Sequence, residues 1–197
     1  MKSKEVIIQE TMNWVNRVVI GLNFCPFAAP VVTHNQLHVK VIKGNDVALL
    51  LEAIIMECRF LDTSEQNETS LVVFPDFESD QEAHFIAYLD LVELADQLLD
   101  KQSYRGVYQL ATFHPDYCFA EAEKDDPANY TNRSPYPMVH IIPEESLEKA
   151  IASYPNVEEI PENNMKLTRQ KGLLSMESMR KGCFVDETNS SNDPLDA

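Results

Sequence analysis

The stretch from Leu37 to Phe74, LHVKVIKGNDVALLLEAIIMECRFLDTSEQNETSLVVF, decides the fold. Its first seven residues, Leu37 to Lys43, alternate apolar and polar, the pattern of a half-buried strand. Gly44-Asn45-Asp46 then supplies a turn and a helix N-cap. The residues that follow, to about Phe60, are apolar nearly all round (Val47, Leu49, Leu50, Leu51, Ile54, Ile55, Met56), which predicts a well-buried helix. Ser70 to Phe74 is a short apolar strand closed by Pro75. A strand, a helix and a strand in that order form a crossover unit, and such units build parallel sheet.

Working outward, Lys4 to Ile20 reads as an amphipathic helix. Ile8, Met12, Val15 and Val19 fall on one face, Trp14 broadens it, and Gly21 with Pro26 stops it. Downstream, Ser79 and Glu82 have capping-box spacing, and the helix they open carries Phe85, Tyr88, Val92, Ala95 and Leu99 on its face. Gly106 opens a third strand, Val107 to His114, and Met138 to Ile142 is a fourth. Pro143-Glu144-Glu145 begins a short helix, and a last helix is expected over Pro161 to Arg180 with Gly172 inside it. The expected class is α/β, with α+β as the alternative: a single four-stranded mixed sheet with helices packed on it, its strand order left open. Residues 1–185 make one domain, and the polar tail 186–197 is expected to be disordered.

A chain of 197 residues with 44% hydrophobic content can build a proper core. No apolar run approaches the roughly 18 residues that span a bilayer. The first residues lack a small-residue cleavage site, so the expected place is the cytoplasm and no membrane partner is expected. Cys25, Cys58, Cys118 and Cys183 form no CxxC pair and no disulfide framework, which implies free thiols. A formal net charge of −16 repels phosphate backbones and argues against nucleic acid. The basic residues Lys166, Arg169, Lys171, Arg180 and Lys181 crowd near the C-terminus, as a solvated helix flank would place them.

Chemistry is expected between His114 and His140, where twenty-odd residues with little periodicity join two strands. Ordered loops of that length are uncommon and often functional. The alternative is a rigid excursion stiffened by Asp126-Pro127, Ser134-Pro135 and Tyr136-Pro137. His114 and Asp116 share a side if the chain stays extended, and His140 alternates away from Val139 and Ile141. Were the third and fourth strands adjacent, His114, Asp116 and His140 could converge for acid/base work or as ligands of a divalent metal. A hydrogen-bonded structural histidine is the commoner use of such residues. Arg133, beside Asn132 and near Tyr130, offers a fork of donors for a substrate anion, or for an internal bridge to Asp125 or Asp126.

Asn23-Phe24-Cys25-Pro26-Phe27-Ala28 is the second candidate. Cys25 could act as a nucleophile with His114 or His140 as its base and Asp116 or Asn132 as orienter. Flanked by two phenylalanines, it reads more readily as a buried small residue. With five glycines in the chain, no phosphate-loop, dinucleotide or serine-elbow pattern appears.

Three stretches carry a family likeness: Gly21-Leu22-Asn23-Phe24-Cys25-Pro26-Phe27-Ala28, Phe113-His114-Pro115-Asp116-Tyr117, and Asp126 to Pro137. They resemble those of DUF1415, a bacterial family classed as a domain of unknown function, over roughly residues 8 to 180. The resemblance implies no activity and no residue role. It implies only that the Cys25 motif and the His114–His140 segment occur together, as one shared site or one shared packing arrangement. The leading expectation is an enzyme acting on a small polar or anionic metabolite. Arg133, Asn132 and Tyr130 would hold the substrate, with His114, Asp116, His140 and Cys25 as the catalytic groups. The alternative is a non-catalytic binding or interaction domain with a rigid recognition loop.

Overall fold

A computed structural model describes residues 2–77 and 84–185. The capping-box pair Ser79 and Glu82 and the tail 186–197 lie outside the described residues. Strands β1 (Leu37–Val41), β2 (Thr69–Val73), β3 (Tyr108–Phe113) and β4 (Met138–Pro143) form one mixed sheet in the order β1-β2-β4-β3. β1 and β2 are parallel, and β4 runs antiparallel to both β2 and β3. The three earlier strands therefore point the same way, as the crossover pattern requires, and the last slots between two of them.

Each crossover contributes one helix. Helix α1 (Lys4–Trp14) opens the chain, and α2 (Ala28–Thr33) follows it. Helix α3 (Val47–Thr63) joins β1 to β2 and is capped by Asp46, whose side chain accepts from the N–H groups of Ala48 and Leu49. Helix α4 (His84–Lys101) joins β2 to β3. Leu50, Ile54 and Cys58 of α3 and Tyr88, Leu91 and Ala95 of α4 pack on Val72, Val139 and Ile141. The other sheet face carries Leu71, Val73 and Met138 against Ile7, Trp14 and Val18. A sheet with cores on both faces is what the uninterrupted apolar run of β2, buried at every position, demands.

Three expectations need correction. Helix α3 is not buried all round: Val47, Leu49, Met56 and Phe60 are exposed, because the helix packs only against the sheet and α4. The last helix is two, α6 (Ile160–Lys171) and α7 (Leu173–Lys181), after α5 (Glu144–Ser153). Gly172 breaks it with φ 82° and ψ 159°, a conformation essentially reserved for glycine. The first helix reaches Ile20, but Val15–Ile20 is wound as π-helix, with Gly21 N–H donating to Asn16 O and Phe24 N–H to Val19 O. Such windings are rare and occur often beside functional sites.

Candidate functional site

Strand parity separates the two histidines on which the sequence reading rested. His140 lies opposite Leu71 on β2 and Ala111 on β3, so these three share one face. His114 follows Phe113 and turns to the other face. There its ring meets those of His84 at 4.7 Å, Tyr88 at 5.0 Å and Phe85 at 5.2 Å. The chain is not extended after it: Tyr117 N–H donates to His114 O, closing a turn. Asp116 is exposed and reaches His114 through its main-chain N–H, which donates to Nδ1 at 3.0 Å. The set His114, Asp116 and His140 therefore does not converge. Among the described residues no group of three His, Cys, Asp or Glu side chains could hold a metal ion.

Arg133 is also committed internally. It is 8% exposed, and its Nε and Nη2 donate to the carbonyls of Tyr117 (3.0 Å) and Lys124 (2.7 Å), with the guanidinium 4.8 Å over the Tyr130 ring. Its partners are carbonyls rather than Asp125 or Asp126. Asp126 instead pairs with Arg169 of α6 at 2.7 Å. Asn132 donates to Thr112 O, Asn129 bonds Phe119 N–H and Glu123 O, and Tyr136 OH donates to the buried Glu10 carboxylate. Trp14 Nε1–H donates to Arg133 O at 3.1 Å. The segment between the histidines is thus a stapled loop that seats against the first helix, with Arg133 and Tyr130 buried and Asn132 half-buried and bonded to β3.

What the structure does bring together is Cys25 and His140. Both line a cavity of about 460 Å³ on the α1 side of the sheet. Leu71, Ala111 and Ile142 form its floor, Trp14, Val15 and Val19 one wall, and Leu147 and Ala150 of α5 another. Phe27 closes an end, its ring edge-on to Tyr154 at 5.6 Å. The π-wound segment supplies Val15 and Val19, and α2 supplies Val31 and Val32.

Two polar atoms of this cavity's residues have no partner. His140 Nε2 and Thr69 Oγ1 are closed off from solvent, and neither makes a hydrogen bond. Thr69 is two residues before Leu71, so it shares the face of His140. An unsatisfied buried polar group costs about 1–3 kcal/mol, and native folds keep few of them. Burial also lowers the His140 pKa from 6.5 to about 4, so the ring is neutral at physiological pH. Burial pushes the Cys25 thiol upward, against the partial pull of the Phe27 and Ala28 N–H groups. Cys25 is therefore a protonated thiol in this setting, unlike a thiolate nucleophile. A second depression, of about 710 Å³, has its charged groups already paired, Lys2 with Glu10 and Asp76 with the Gly44 N–H.

Residues 6–178 match the family described as Protein of unknown function (DUF1415). The chain belongs to that family. No curated protein and no solved structure matches it. In this DUF1415 member the matched region takes in both the stapled loop and the cavity. The Cys25 motif forms the turn that carries the chain from the π-wound segment to α2. Asn23 at φ 55° ends the helical winding, and Asn164 Nδ2 of α6 anchors Phe24 O at 2.7 Å. That Cys25 and His140 could line one pocket was among the options the sequence left open. Thr69 was not, because a threonine ahead of an apolar strand carries no signal of its own.

Proposed function

We propose that this DUF1415 protein binds a small, mainly apolar molecule in the cavity between the sheet and helices α1, α2 and α5. One observation carries the reading: an apolar cavity of about 460 Å³ among whose lining residues are His140 and Thr69, each with a polar atom that has no partner. Ligand sites of this size are lined by apolar side chains with a few polar groups that fix orientation. No hydrogen bond fixes which way the His140 ring faces, so a half-turn about Cβ–Cγ exchanges Nε2 with Cε1 at no cost in bonds. An occupant bearing one hydrogen-bonding group recovers what the unpaired His140 and Thr69 atoms forfeit. Cys25 serves as a wall of the site and stays a thiol.

This reading takes the binding alternative over the enzyme, and a small-molecule partner over an anionic metabolite held by Arg133. The compartment proposed is a bacterial cytoplasm, which suits four free cysteines. Among the described residues no helix is long and apolar enough to cross a membrane. The test is a fragment screen by ligand-observed NMR, run in parallel on wild type and on Ala111→Leu, which fills the floor. Fragments that bind wild type and lose binding in the filled variant support the site. Equal binding to both proteins rejects it.

A further inference from the structure

We infer that the cavity selects an amine: a small apolar body carrying one ammonium group held at Glu68. The inference rests on the binding reading above and adds the charge of the ligand. Of the residues that line the cavity, Glu68 is the one with a formal charge at neutral pH. It is half-buried just before β2, next to Thr69, where its N–H donates to Gln36 O at 2.8 Å. None of the ion pairs among the described residues uses its carboxylate.

No lysine or arginine lines the cavity to neutralise that charge or to receive an anion. Low-dielectric walls focus the field of a single charge into the space they enclose. The chain's formal net charge of −16 biases the approach of a ligand the same way. The rings of Phe27 and Phe113 present aromatic surface that tolerates a cation. An apolar carboxylate would meet Glu68 with like charge and find no cationic donor in the lining.

The test uses three probes of matched body and the single tryptophan, Trp14, as reporter. Wild type, Glu68→Gln and Ala111→Leu are titrated with 2-phenylethylamine, 2-phenylethanol and 3-phenylpropanoate at low salt, followed by Trp14 fluorescence. The expected order for wild type is amine, then alcohol, then carboxylate, with the amine about fivefold tighter than the alcohol, the scale of one partly screened ion pair. Glu68→Gln should erase the amine's advantage and leave the alcohol unchanged. Added salt should shrink that advantage in wild type alone. Binding of the alcohol without preference for the amine, or an amine advantage that survives Glu68→Gln, overturns the inference and leaves the binding site standing. No saturable response to any probe, or equal responses in Ala111→Leu, overturns both.

Discussion

Acidification should destabilise this protein through two desolvated histidines on opposite faces of one sheet, and replacing either should remove a separable share of the effect. His114 is fully buried, and desolvation, with the nearby positive charge of His84, lowers its pKa from 6.5 to about 4. His140 falls from 6.5 to about 4 by burial alone. The folded pKa lies below the unfolded one in each case, so the unfolded chain takes the proton first. Stability is then unaffected above pH 6.5, falls as pH drops through the window from 6.5 to about 4, and levels off below it. Between pH 7.5 and 5 the linkage gives a loss of roughly 2 kcal/mol per ring. His140→Leu forfeits no hydrogen bond, so it isolates the titration. Urea unfolding at the two pH values should show the pH-dependent loss reduced by roughly 2 kcal/mol in His140→Leu, by a similar amount in His114→Phe, and by their sum in the double variant. A His140→Leu protein with the full wild-type loss would refute the claim that this ring is held neutral in the fold.

Other substitutions read other parts of the account. Arg133→Ala should cost about 3 kcal/mol, because two charge-assisted bonds to the Tyr117 and Lys124 carbonyls are lost, while fragment binding at the cavity persists; urea unfolding and the NMR screen check the two halves. Gly172→Ala should destabilise by about 1–3 kcal/mol, since φ 82° with ψ 159° strains any side chain, and a thermal melt reads this directly. Non-reducing alkylation of unfolded protein should add four labels. In the native state Cys58 and Cys183 should resist, and a cavity ligand should slow labelling of Cys25 and leave Cys118 unchanged, as peptide mass mapping would show.

The fold was legible because its signals are local. Alternation in β1, an N-cap at Asp46 and an apolar run in β2 each act within a few residues, and all four strands lie within a residue or two of their expected bounds. The pairing order was not legible, because placing β4 between β2 and β3 depends on how the later helices cover the sheet. That order also decided the site. Sequence spacing put His114 and His140 in strands that do pair, yet alternation from Phe113 sends one imidazole to the α4 face and keeps the other, opposite Ala111, on the α1 face. The prolines and asparagines of the 126–137 stretch carried a true signal of order, which the structure spends on packing the loop. The cavity itself draws on seven separate segments, from α1 to α5, and only two of its residues, Cys25 and His140, were of a type that sequence reasoning singles out.

The most direct test of the central claim is a crystal structure with a fragment from the screen bound. The account predicts the fragment between Trp14, Leu71 and Phe113, with a polar atom within hydrogen-bonding distance of His140 Nε2 or Thr69 Oγ1. A fragment seated instead on the exposed apolar side of α3, with the cavity closed by its own side chains, would contradict it.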